Sequence, residues 1–82
     1  MMETIREIVP KLDMTLQIVF NDGVEGIFNV QPYLADEAFE ALKNPAEFMK
    51  LHNGGYFVEW ECGADLSADT LRARMKVLSN AR

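Results

Sequence analysis

Met14-Thr15-Leu16-Gln17-Ile18-Val19-Phe20-Asn21-Asp22-Gly23-Val24-Glu25-Gly26-Ile27-Phe28-Asn29-Val30 is the stretch whose pattern decides the fold. Before Asn21, the apolar Met14, Leu16, Ile18 and Phe20 alternate with Thr15 and Gln17. A period of two predicts a strand with one buried face. After Gly23, Val24, Phe28 and Val30 point one way while Glu25 and Asn29 point the other. Asp-Gly between two such runs is a strong hairpin signal, because Gly adopts positive φ at little steric cost. Two residues break the alternation: Val19 and Ile27 fall on the otherwise polar face. A solvated face does not need them, so they point to a surface covered by a partner or a second copy. Singly exposed apolar residues are common, which is the plainer reading of both.

Upstream, residues 5–10 form a short β-like run that Pro10, lacking an N–H, ends or places at an edge. Downstream, Pro32 closes the second strand of the hairpin. Residues 36–43 read as a short helix with Ala38, Phe39 and Leu42 on its apolar side. Asn44-Pro45 ends it and starts a further turn, with Asn44 as cap, Pro45 in first position and Phe48 as anchor. A second hairpin follows: a brief strand over residues 50–52, a turn at Asn53-Gly54-Gly55, then residues 56–60. There Tyr56, Val58 and Trp60 share a face. Gly63-Ala64-Asp65-Leu66 reads as a turn. Ser67 is a good N-cap, and Ala68, Leu71, Met75 and Leu78 line up as the apolar stripe of a helix of roughly three turns. The predicted class is α+β: a small antiparallel sheet of two hairpins plus an N-terminal strand, packed by a short middle helix and a C-terminal helix.

The chain has 82 residues, room for one domain. A domain of that size buries only about 60–65% of its unfolded surface, so its core is thin. Hydrophobic residues make up 49%, too many for a disordered segment. The lone cysteine, Cys62, argues against a disulfide-stapled secreted scaffold. No signal pattern opens the chain, and no apolar run approaches the roughly 20 residues that span a bilayer. A cytoplasmic domain without a membrane partner is expected. The formal net charge is −5. All 13 acids lie at or before Asp69 against four bases, leaving −9 there, whereas the four bases from Arg72 onward give +4. An acidic body repels phosphate, so direct nucleic-acid binding is not expected, and a basic partner suits it.

Catalytic chemistry has little to draw on. A Cys or Ser nucleophile needs a base in hydrogen-bond reach, and the only histidine is His52. His52 and Cys62 flank the second hairpin, yet no third orienting group or oxyanion loop is visible. A zinc site needs three or four ligands at close spacing, which one His and one Cys ten positions apart do not supply. Glu59 and Glu61, with Asp65 beyond, are more simply a solvated acidic face than an acid–base pair. Gly54-Gly55 lacks the glycine spacing of a phosphate-cradling loop. Tyr56 and Trp60 can serve as a stacking platform or a protein hot spot. Acidic neighbours argue against nucleic acid, and for Trp60 a place in the core is the simpler reading. No catalytic residue, cofactor or metal is therefore assigned, and the partner-binding candidates are Val19, Ile27, Tyr56, Trp60 and Asp65.

Taken together, Val9-Pro10, Leu12-Asp13, Leu16, Phe20, Asp22-Gly23, Phe28, Pro32-Tyr33-Leu34, Phe39, Leu42, Pro45, Phe48 and above all Trp60 with Gly63-Ala64-Asp65-Leu66 resemble a bacterial family, domain of unknown function 2442. The likeness runs from about Ile5 to Leu71. It implies a small α+β domain with a curved antiparallel sheet. Some members of the family add a helix-turn-helix DNA-binding domain; with 82 residues and an end at Arg82, none is expected here. Members often lie beside a gene for another small protein, in pairs proposed to be toxin–antitoxin systems. Asn29 stands where the family commonly has an acid, and Glu61-Cys62 where it has Pro-Asn. The family carries no established catalytic residues to transfer. The expected function is thus a non-catalytic protein-binding module, antitoxin-like or regulatory, for a small partner such as a neighbouring-gene toxin. The alternative is a stand-alone structural or homodimeric accessory domain.

Overall fold

A computed structural model describes residues 4–80. Seven strands and two α-helices follow in order: β1 (Ile5–Pro10), β2 (Thr15–Phe20), β3 (Val24–Asn29), α1 (Pro45–Phe48), β4 (Leu51–Asn53), β5 (Phe57–Trp60), β6 (Asp65–Ser67), α2 (Ala68–Arg74) and β7 (Lys76–Asn80). Two 3-10 segments, Gln31–Ala35 and Glu37–Lys43, bridge β3 and α1. The class is α+β, as the sequence pattern predicts. The two hairpins, however, lie in separate antiparallel sheets: four strands in the order β1-β2-β3-β7, and three in the order β4-β5-β6.

The central hairpin forms where the alternation puts it. Leu16 pairs with Phe28 and Ile18 with Gly26, and Leu16, Ile18, Phe20, Val24 and Phe28 are buried. Gly23, at φ 91°, donates its N–H to the Phe20 carbonyl, and the Asp22 carboxylate accepts from the Val24 N–H. Met14, expected as the first strand residue, instead sits in the preceding turn at φ 66°, its N–H donated to the Lys11 carbonyl.

Both sheets feed one core. Val58, Trp60 and Leu66 of the second sheet join Ile5, Ile18 and Phe20 of the first, with Phe39, Leu42, Phe48, Ala68 and Leu71 packed around them. The middle segment is 3-10 rather than α-helical. Its buried residues, Phe39 and Leu42, lie three apart, which suits three residues per turn, whereas Ala38 is exposed. Asn44 caps α1 through its side-chain oxygen, as its position before Pro45 predicts. The segment read as a turn at residues 63–66 turns earlier, with the Gly63 N–H on the Trp60 carbonyl, and Asp65 already begins β6.

The C-terminal helix is shorter than its apolar stripe suggests. Ser67 caps α2, and Ala68, Leu71 and Met75 are buried, but the helix ends at Arg74. Met75 turns extended and the chain continues as β7 along β3, with Leu78 in a strand and exposed. Gly26 is the reason this crossing fits. A Cβ there would lie 2.6 Å from Met75 Sδ and 2.8 Å from the Lys76 carbonyl oxygen.

Candidate functional surface

The outer face of the four-stranded sheet follows from its register. Val9 pairs with Gln17, Gln17 with Ile27, and Ile27 with Lys76 in one row. Glu7 pairs with Val19 and Val19 with Glu25 in the next. Partners across an antiparallel pair share a face, so Val9, Val19 and Ile27 all point away from the core. Val19 is the diagonal neighbour of both Val9 and Ile27. The three make an aliphatic stripe, with Val9 45% exposed and Val19 and Ile27 half-buried beside Glu7, Glu25, Thr15 and Gln17. The Gln17 amide donates to a Glu25 carboxylate oxygen at 2.9 Å, so part of the polar rim is tied together. Val9 joins the stripe although the sequence pattern does not single it out: Pro10 beside it marks a strand end, and only the register with Gln17 places it on this face.

The remaining candidates do not gather there. Tyr56 precedes β5 and is exposed. Asp65 lies on the outer face of the second sheet, in a cross-strand row His52–Glu59–Asp65 of exposed side chains. Trp60, a partner-binding candidate from the sequence, is instead a core residue. It is 1% exposed, its indole N–H donates to the Phe48 carbonyl at 2.8 Å, and its ring packs 5.9 Å from that of Phe48. A side chain so placed holds the core.

His52, Glu59, Trp60, Glu61 and Gly63 line a shallow depression of about 270 Å³. Cys62 is exposed at the neighbouring turn and is not among its lining residues. A second depression, of about 280 Å³, is lined by Leu34, Ala35, Asp36, Glu37, Glu40 and Lys43. Among the described residues no group of three or more His, Cys, Asp or Glu side chains is arranged to hold a metal ion. No helix among them is long and apolar enough to cross a membrane.

A charged contact ties α2 to the central hairpin. Arg72 of α2 reaches Asp22 in the β2–β3 turn, with Nη2–Oδ2 at 3.0 Å and Nη1–Oδ1 at 3.4 Å. The guanidinium also lies 5.0 Å from the centre of the Phe20 ring. The Arg72 hydrogen bond, followed by that from the Val24 N–H, holds the Asp22 carboxyl below its ordinary value of 3.8.

A family model described as "Protein of unknown function (DUF2442)" matches residues 5–76. Compared with curated proteins and with solved structures, the chain matches none.

Proposed function

The chain belongs to the DUF2442 family, and we propose that it is a non-catalytic protein-binding module that engages a small partner through the outer face of β1, β2 and β3. The observation that carries this reading is the stripe of Val9, Val19 and Ile27, which faces away from the core between Glu7 and Glu25. Apolar surface left on a solvent face by three neighbouring aliphatic side chains gains about 25 cal/mol for each Å² a partner covers. The acids beside them favour a partner whose contact surface mixes apolar and basic residues. A small basic protein encoded beside this chain fits that description, which makes the role antitoxin-like or regulatory. The exposed single thiol of Cys62 supports a reducing, cytoplasmic setting.

Co-expression with the product of the adjoining gene tests this. The pair is expected to co-purify, and Val19→Asp combined with Ile27→Asp is expected to weaken the complex at least about tenfold, each lost contact being worth on the order of 1 kcal/mol. Retention of the complex by that double variant, or no complex with the wild-type chain, refutes the reading. If the wild-type chain alone sediments as a dimer and the double variant as a monomer, the stripe serves a homodimer and the accessory-domain alternative stands in its place.

A further inference from the structure

The four-stranded sheet has two outer strands, and the fold treats them differently. At β1 the edge is obstructed. The Ile5 N–H is spent on the Gly55 carbonyl at 2.7 Å, and the Ile5 carbonyl accepts from the Asn53 side-chain amide at 3.0 Å. The strand is irregular between Ile5 and Glu7 and ends at Pro10, which has no N–H. At β7 the register against β3 is irregular too, opposite Glu25 and Gly26, but among the described residues no hydrogen bond from another element and no proline occupies its outer side. Among the described residues this strand pairs with β3 alone, and Val77 and Leu78 are 47% and 53% exposed. An edge of this kind is a template for an added strand.

Charge selects what is added. After Asp69 every ionisable side chain in the sequence is basic, and Arg74 and Lys76, both exposed, stand at the start of the edge. This is the basic element of an otherwise acidic protein. A second copy would bring the same bases to the same place, so Arg74 and Lys76 guard against self-pairing. A strand carrying carboxylates meets the opposite situation. We propose that the free edge of β7 docks an extended acidic and aliphatic segment of a partner protein as a fifth strand of this sheet. Main-chain hydrogen bonds to β7 supply affinity, Val77 and Leu78 cover alternate apolar side chains, and Arg74 and Lys76 select for acids. The segment differs from the basic surface sought by the outer face, and the two sites are tested separately.

The test is an amide NMR titration of the full chain with a capped Glu-Val-Glu-Ile-Glu-Val peptide, and with Lys-Val-Lys-Ile-Lys-Val as its counterpart. The acidic peptide is expected to give saturable shifts centred on Lys76–Asn80 and weaker ones on β3. Its affinity is expected to drop at least about fivefold between low and high salt, as screened ion pairs require. Arg74→Glu with Lys76→Glu is expected to abolish those shifts while the rest of the spectrum superimposes. Val19→Asp with Ile27→Asp is expected to leave them intact, so loss of the outer-face reading does not carry this one with it. Shifts scattered away from β7, equal response to the lysine peptide, or no response at millimolar peptide overturns the proposal. So does a concentration-dependent dimer of the free chain with its β7 amides protected.

Discussion

Met14, Gly23 and Gly63 occupy one position in three turns. Each lies fourth in a turn closed by its own N–H, on Lys11, Phe20 and Trp60 respectively, and each has positive φ. Asp22-Gly23 announces this geometry in the sequence. Met14 does not, since a methionine at φ 66° is uncommon and its apolar character fits the strand pattern as well. Two glycines separate backbone cost from packing cost. At Gly63, φ is 100° and a Cβ meets nothing within 4 Å, so Gly63→Ala is expected to cost about 1–2 kcal/mol from backbone strain alone. At Gly26 the obstacle is Met75 and the Lys76 carbonyl, so Gly26→Ala is expected to cost about 1–3 kcal/mol by overpacking and to recover in part with Met75→Ala. Urea midpoints read both; the assignment fails if Met75→Ala rescues Gly63→Ala instead. Trp60→Phe strands the buried Phe48 carbonyl and opens a gap, for an expected loss of about 2–4 kcal/mol in the same titration. Position 60 illustrates the limit of pattern reading: alternation puts Trp60 on the face of Val58 but cannot say whether that face meets core or partner.

At the scale of elements, capping residues were legible and lengths were not. Ser67 and Asn44 start helices because their side-chain oxygens take the freed N–H groups, a local interaction visible in the sequence. Where α2 stops is decided elsewhere. Leu78 extends the helical spacing of Ala68, Leu71 and Met75 by coincidence, while the unpaired side of β3 draws residues 76–80 into the sheet. The Arg72–Asp22 contact then fixes α2 against the β2–β3 turn, and it confers a pH dependence. The Asp22 carboxyl is depressed in the folded chain, so its contribution is complete above the ordinary value of 3.8. It is lost as the pH falls below that, through the lowered folded value. Arg72→Gln is expected to flatten the decline of stability below about pH 4 while leaving its shape near neutrality unchanged. Urea midpoints across that range for both proteins decide it; parallel curves would show that the contact contributes nothing.

At the scale of the whole molecule, the class was readable and the division into two sheets was not. Alternation and turn residues say which strand pairs with its neighbour in the chain, as they do for β2 with β3. Whether two hairpins join edge to edge or pack face to face depends on contacts between residues far apart. The three-residue β6, whose Asp65 and Ser67 are exposed, is too short to produce a pattern. Because the buried residues of both sheets, both helices and the 3-10 segment Glu37–Lys43 form a single cluster, the molecule is expected to unfold in one step. Trp60 fluorescence reports on the second sheet, whereas far-UV circular dichroism averages over the backbone. Superimposable urea transitions are expected, and a split between them would show the sheets melting independently.

The order of the strands also has a consequence for synthesis. Asp22 and Arg72 are 50 positions apart, and β7 reaches its place beside β3 only after every element between them has emerged. A growing chain can assemble the β1–β3 meander early, from neighbours in sequence, yet it carries the naked flank of β3 until translation has delivered the last strand. A delay before β7 has cleared the ribosome would prolong that vulnerable interval, and chaperone capture should peak at nascent lengths at which β1–β3 have emerged and β7 has not.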